Sequence, residues 1–181
     1  MNMQTSMIID GKEIPYYQFI FKMDMTPHLN KSRKQRYLSN GQSFIDYVIQ
    51  ECFDQFDFTN DYWMFERASV LFLQGFHRSQ SIDFDNQNYK PLIDAVKKLC
   101  IFPDDNYKHL SMHFVGQESQ NPSMNIYIFP MKYAHKMMNT IVGEKNIDAH
   151  AGIMPRSDFV SEIPKLNEEV ITSKIKEDSF F

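Results

Sequence analysis

Two pairs of acidic residues, about twenty positions apart, are the most chemically suggestive feature of this sequence. Asp83 and Asp85 flank a single residue, and Asp104 and Asp105 directly follow a proline. In an extended segment, residues i and i+2 point to the same side, so Asp83 and Asp85 would share one face. An intervening helix would return the chain and bring the second pair towards the first. Carboxylates gathered in this way repel one another unless a hard divalent cation such as Mg²⁺ or Mn²⁺ binds them, and such an ion can polarise a phosphodiester and generate hydroxide.

The same residues also have an ordinary structural interpretation. The pattern Asp-x-Asp-Asn before a helix is common turn and capping chemistry, and Asp-Asp after a proline is a common solvated turn. Lys90 favours the chemical alternative, because a cation near the start of a helix opposes the helix dipole unless it pairs with an anion. Lys90 could form a surface ion pair with Asp85 or Asp94, or it could contact a phosphate and stabilise developing charge.

The elements that must position these residues are predicted by the apolar patterns. Runs of aromatic and β-branched residues predict four strands, Tyr16–Asp24, Trp63–Gln74, Leu110–Val115 and Met124–Pro130. Helical spacing predicts two helices between them, over residues 42–56 and 89–99, with Asn88 as the N-cap of the second. The last two strands are predicted to pair as a hairpin. The sequence therefore predicts an α/β (α+β) fold, a small mixed sheet of about four strands packed with two helices in the order β-α-β-α-β-β.

The pattern of the sequence changes near residue 130. Residues 1–130 are predicted to form one domain, and a chain of 181 residues can bury enough surface to fold without a disulfide or metal staple. Residues 131–181 are predicted to be a C-terminal extension. It would be helical over Met131–Val142 with Gly143 as the C-terminal cap, and irregular beyond Lys145.

Composition excludes several classes of protein. Hydrophobic residues make up 43% of the chain, which excludes a wholly disordered protein, and a net charge of −4 argues against a polybasic one. Two cysteines, Cys52 and Cys100, are too few for a secreted disulfide framework, and we expect two buried thiols in a reducing cytoplasm. With no visible secretory signal and no apolar run long enough to span a bilayer, we expect no membrane partner. His109 and His113 lack a third ligand pattern, so we expect structural or surface histidines rather than a zinc site.

Basic residues cluster ahead of the first predicted helix. Four cations fall within six positions, Lys31, Arg33, Lys34 and Arg36, and Arg78 shortly precedes the acidic motif. Such a cluster could be a solvated loop, but an acidic metal centre that must approach a polyanion needs flanking cations. We therefore expect at least some of these side chains to contact phosphate.

The acidic motif and its surroundings resemble the signature of RusA-type Holliday junction resolvases. The residues that carry the resemblance are Asp83-Phe84-Asp85-Asn86, Lys90-Pro91, Asp94-Ala95 and Asp104-Asp105. The resemblance extends backward to a Pro-x-x-Asn turn at Pro27–Asn30 and forward to the last two strands, so it covers about Tyr16 to Pro130. One departure is visible, since three residues separate Asn86 from Lys90 where the family usually has two.

The resemblance implies a homodimeric α/β nuclease that uses Mg²⁺, with Mn²⁺ as a substitute, to cut four-way DNA junctions symmetrically during recombination or repair. It implies that Asp83, Asp85 and Asp105 are the metal-binding carboxylates and that Lys90 is the essential lysine, with Asp104 the weaker candidate of its pair. Asn30 of the Pro-x-x-Asn turn joins the basic residues as an expected DNA contact. Two alternatives remain open, a non-catalytic protein that binds branched DNA on the same fold, and a nuclease for flaps or other branched DNA.

Overall fold

The computed structural model describes residues 4–31, 35–59, 62–77 and 86–143. These ranges contain five strands, β1 (Gln4–Ile9), β2 (Lys12–Phe21), β3 (Ala68–Phe76), β4 (Leu110–Glu118) and β5 (Ser123–Pro130). They also contain four helices, α1 (Thr26–Leu29), α2 (Phe44–Gln55), α3 (Lys90–Lys97) and α4 (Ala134–Gly143), the last preceded by a 3₁₀ turn over Met131–Tyr133. The predicted fold class, a small mixed sheet packed with helices, is confirmed. None of the helices in these ranges has the length and apolar character needed to cross a membrane.

The sheet has the strand order β1-β2-β5-β3-β4, and only the β3–β4 pair is parallel. The predicted hairpin between the last two strands is therefore wrong, because β3 lies between β4 and β5. The loop that joins them crosses the end of β3, where Ser119 N donates to Phe76 O at 2.8 Å. A Cβ on Gly75 would lie 3.0 Å from Ser119 Cβ, so this close crossing favours glycine.

A hairpin at the start of the chain adds a strand that the sequence prediction lacked. β1 and β2 pair antiparallel around Asp10 and Gly11, whose φ angles are 51° and 72°. Positive φ at both central residues is what a type I′ turn requires, and Asp-Gly is its usual sequence. The first predicted strand is thus the second half of a hairpin, and the described sheet has five strands rather than about four.

The strand predicted from Trp63 begins only at Ala68. The Tyr17 hydroxyl accepts a hydrogen bond from Trp63 N and donates one to Trp63 O, each at 2.7 Å. Because a side chain satisfies the backbone of Trp63, this residue does not need a neighbouring strand.

Helices cover both faces of the sheet. α2 and α3 pack on one face, where Val48 and Leu92 share a buried core with Phe72. α4 packs on the other face, where Met137 and Ile141 contact a cluster that includes Leu71, Leu73 and Phe129. The strands β3 and β5 are buried along almost their whole length because both of their faces are covered. The predicted division of the chain at residue 130 stays a prediction, and α4, just beyond it, packs on the same sheet.

The two cysteines have different environments. Cys52 is buried on α2, as expected, and burial raises the pKa of its thiol to about 12. Cys100 is exposed, so the prediction that both thiols are buried is wrong for this residue. It follows α3 with a φ of 56°, the left-handed conformation that often ends a helix, and this turns it away from the core.

Candidate metal and phosphate site

Two segments that are far apart in the sequence pair beside the start of α3. Lys31 N donates to Asn86 O at 2.9 Å, and Asn88 N donates to Leu29 O at 2.7 Å. Asn30 and Gln87 form an antiparallel bridge between these two hydrogen bonds. The Pro-x-x-Asn turn is therefore fixed against the residues that directly follow the Asp83–Asp85 motif.

A buried tyrosine anchors this arrangement to the sheet. The Tyr89 hydroxyl donates to Gln74 Oε1 at 3.1 Å, and Gln74 Nε2 donates to Thr26 Oγ1 at 3.4 Å. Burial raises the pKa of Tyr89 to about 12, so its hydroxyl is a neutral donor at physiological pH. The network connects β3 with both α1 and the residues that lead into α3.

Lys90 is the first residue of α3. The three residues between Asn86 and Lys90, one more than the spacing discussed in the sequence analysis, therefore lie in the loop that precedes the helix. Asn88 Oδ1 accepts a hydrogen bond from Lys90 N at 3.2 Å, which forms an Asx turn leading into the helix. The backbone places the N-cap one residue later than predicted, at Tyr89, which makes no side-chain capping bond.

The acidic turn after α3 lies beside the helix and contacts two of its lysines. Asp105 Oδ1 lies 2.9 Å from Lys97 Nζ, and Asp105 Oδ2 lies 3.6 Å from Lys90 Nζ. Lys90 Nζ also contacts Asp94 Oδ1 at 2.8 Å. The structure thus brings Lys90 and Asp105 together, and Lys90 forms the ion pair with Asp94 that the sequence had left open.

These ion pairs fix the charge state of the site. Hydrogen bonding from Lys97 holds the pKa values of Asp104 and Asp105 below their usual range. The bond to Asp104 raises the pKa of Lys97, and the bond to Asp94 raises that of Lys90. Both carboxyl groups are therefore ionised at neutral pH, and both lysines are charged.

Asp104 and Asp105 differ in what their oxygens do. Besides Lys97, Asp104 accepts hydrogen bonds from Asp105 N at 2.9 Å and from Asn106 Nδ2 at 2.6 Å. Both of its oxygens are thus engaged, by Lys97 and by groups of the turn itself. Lysines also contact both oxygens of Asp105, but Asp105 lines a pocket of about 340 Å³, where Lys31 and Lys90 also lie, and Asp104 does not. Asp105 is therefore better placed than Asp104 to bind a ligand.

Part of the lining of this pocket is an apolar wall, which the sequence prediction did not include. It consists of Tyr89 and Ile93 from the α3 region and of Met112 and Phe114 from β4. Lys97 was also missed. Its spacing of seven from Lys90, two helical turns, is the sequence signal that places both lysines on one side of α3.

The remaining predicted site residues fall into two groups. Asp83, Asp85, Arg78, Arg33 and Lys34 lie outside the described residues, so their proposed roles stay predictions. Arg36 is described and lines a separate depression with Tyr37 and Phe44, so it does not join the pocket of Lys31 and Lys90.

One residue of the described site has the chemistry of a ligand for a divalent cation. Asp105 supplies an ionised carboxylate facing a pocket, which is the ligand chemistry that Mg²⁺ prefers. Within the described ranges, which exclude Asp83 and Asp85, no group of three acidic, histidine or cysteine side chains gathers to hold a metal.

The two histidines of β4 and the turn before it each have a hydrogen-bond partner. His109 Nδ1 is hydrogen-bonded with Glu66 O at 2.9 Å and His113 Nε2 with Ser111 Oγ at 3.1 Å.

Comparison of the chain with protein-family models finds no match, and comparison with curated proteins finds none.

Proposed function

We propose that the chain is a RusA-like, Mg²⁺-dependent endodeoxyribonuclease that resolves four-way DNA junctions. The observation that carries the proposal is the convergence of three distant segments on one pocket. The end of the Pro-x-x-Asn turn and the Lys31 that follows it pair with residues 86–88. Lys90 lies beside Asp105 in the same pocket. The resemblance depends on these same segments. If they were only unrelated turns and helix caps, nothing would require them to lie at one pocket.

Asp105 would hold the metal together with Asp83 and Asp85. Its ionised state and its place in the pocket suit a hard cation, with Mn²⁺ as a substitute for Mg²⁺. When bound, such an ion supplies an activated water and stabilises charge on the phosphate oxygens. Lys97 and Lys90 hold the Asp105 side chain in place, since one contacts each of its oxygens.

Lys90 would place a positive charge at the scissile phosphate. Its side chain is 66% exposed, and its ammonium group lies at the same pocket as Asp105. An ammonium group in this position stabilises the negative charge that develops during phosphodiester hydrolysis. Lys31 would contact a neighbouring phosphate, and the further DNA contacts would come from Asn30, Arg33, Lys34, Arg36 and Arg78.

The substrate geometry suits two copies of the chain. A four-way junction has two-fold symmetry, so a homodimer would present one site to each of two equivalent strands. The reaction would occur in the cytoplasm during DNA recombination or repair.

The direct test is cleavage of a mobile four-way junction with Mg²⁺ by the parent protein and by an Asp85→Asn variant. We expect paired, symmetric nicks from the parent and their loss in the variant, because the amide removes a charged metal ligand. A flap substrate of the same sequence is the control. Binding without cutting would favour the non-catalytic alternative, and single cuts on flaps alone would favour a nuclease of different substrate selectivity.

A further inference from the structure

We infer that the pocket beside Lys90 receives one unstacked nucleotide of the branched DNA, with its base against Phe114 and its phosphate between Lys31 and Lys90. This inference rests on the proposed function and assigns a substrate-binding role to Phe114 and Met112, which neither the motifs nor the basic cluster include.

The apolar wall presents a fixed aromatic ring to the pocket. Phe114 stacks on Phe72 with ring centroids 5.1 Å apart and planes 8° apart, and its centroid lies 4.5 Å from that of Tyr89. These contacts hold the ring, yet Phe114 remains 39% exposed and its neighbour on the same face, Met112, is 50% exposed. A base can stack on such a preformed surface at little entropic cost, since every base has a π-face.

The lining of the pocket offers partners for both halves of a nucleotide. Two lysines, Lys31 and Lys90, against one carboxylate, Asp105, leave a net positive charge for a phosphate. Phe114 and Met112 supply apolar surface for a base. A volume of about 340 Å³ is at the small end of ligand pockets and suits one nucleotide rather than a duplex. Bases inside a duplex are stacked and cannot reach such a wall, so the nucleotide must be one that the branch point leaves unstacked.

A second protein chain is a poorer occupant of this pocket. An apolar segment docked on Phe114 would also cover the solvent-exposed ion pair of Lys90 and Asp105, and removing an ion pair from water without new hydrogen bonds is unfavourable. A nucleotide instead brings an anion to the lysines, so charge complementarity favours the nucleic acid.

The test uses a four-way junction that carries the fluorescent base 2-aminopurine at successive positions around the crossover, bound to the full-length protein in EDTA so that no cutting occurs. We expect the parent to change the fluorescence at one position of each symmetric arm. Phe114→Leu should abolish that change and weaken binding about tenfold, because an aliphatic side chain offers no ring for stacking. Phe114→Trp should retain both signals. Phe58→Leu is the matched control, since Phe58 is 55% exposed and outside the pocket.

The outcomes separate this inference from the proposed function. Unchanged fluorescence and affinity in Phe114→Leu would overturn the inference, even if the parent cuts junctions with Mg²⁺. A Phe114-dependent signal in a parent that never cuts would support the inference while the nuclease proposal fails. Sedimentation of both proteins is included, and a dimer that becomes a monomer in Phe114→Leu would assign the wall to a subunit interface and overturn the inference. If Phe114→Leu does not fold, Met112→Ala tests the same apolar wall without removing an aromatic ring. We expect this variant to bind the junction more weakly than the parent.

Discussion

At the scale of single residues, the site depends on a carboxylate placed between two lysines of one helix. Asp105 contacts Lys97 with one oxygen and Lys90 with the other. The sequence predicted Lys90 and Asp105 because their types and positions suggested chemistry. It did not predict Lys97, since a lysine on a helix surface is usually solvated, and only the return of the chain after α3 brings the acidic turn beside it.

Lys97→Met should raise the pKa values of Asp104 and Asp105 towards the ordinary aspartate value of about 3.9, because Lys97 is the main group that favours their ionised forms. Carbon-detected NMR titration of the two carboxyl groups measures this shift. Lys136→Met is the matched control, since Lys136 pairs with Asp10 instead. Unchanged titration of both carboxyl groups in Lys97→Met would show that these ion pairs do not form in solution.

The lowered pKa values of Asp104 and Asp105 determine the direction in which stability changes with pH. A carboxyl group whose pKa is lower in the folded state stabilises the fold above its unfolded pKa, and this contribution is lost as the pH falls through the folded pKa. The free energy of unfolding of the parent should therefore fall as the pH drops below about 4. Lys97→Met should show a smaller decrease over the same range.

At the scale of elements, the helices were easier to predict than the strand pairing. The apolar periods of α2 and α3 gave their positions to within a few residues. The pairing of β4 with β3 rather than with β5 depends on contacts between distant segments, which a local pattern does not contain. The hairpin at Asp10 and Gly11 is a different case, because an Asp-Gly turn between apolar runs was a readable signal.

Asn88→Ala tests how the start of α3 positions Lys90. The change removes the acceptor for Lys90 N and should lower the free energy of unfolding by about 1 kcal/mol, the usual net effect of losing one hydrogen bond. Asn88→Ser keeps an acceptor and should stay close to the parent. Chemical denaturation of the three proteins measures the difference. Equal stability of the alanine and serine variants would mean that this hydrogen bond does not fix the helix start.

At the scale of the whole molecule, the net charge of −4 does not oppose binding to DNA. Four of the acidic residues belong to the two motif pairs, where a divalent cation would offset part of their charge. The lysines at positions 31 and 90 lie at the same pocket, where they would meet the phosphate of the proposed substrate. The bulk charge therefore excludes a polybasic DNA-binding protein and leaves a metal-dependent nuclease compatible with the composition.

The site could be predicted only in part, for reasons that differ between its residues. The pairing of Lys31 with Asn86, and the contact of Lys90 with Asp105, join residues that the sequence analysis had already named, while the resemblance itself stays a prediction. The apolar wall was not predictable, because Phe114 and Met112 look like ordinary residues of an edge strand until α3 is packed beside them. Asp83 and Asp85 lie outside the described residues, so the complete metal site stays a prediction.

Junction cleavage by matched variants of the acidic turn tests the central claim most directly. The parent, Asp105→Asn and Asp104→Asn are each incubated with a four-way junction and Mg²⁺, and the cut sites are mapped on all four strands. We predict symmetric nicks from the parent and a rate at least about 100-fold lower for Asp105→Asn, because a metal ligand is worth several kcal/mol. Asp104→Asn should keep most of the activity, since Asp104 acts within its turn. No cutting by the parent, or equal cutting by the parent and Asp105→Asn, would contradict the account.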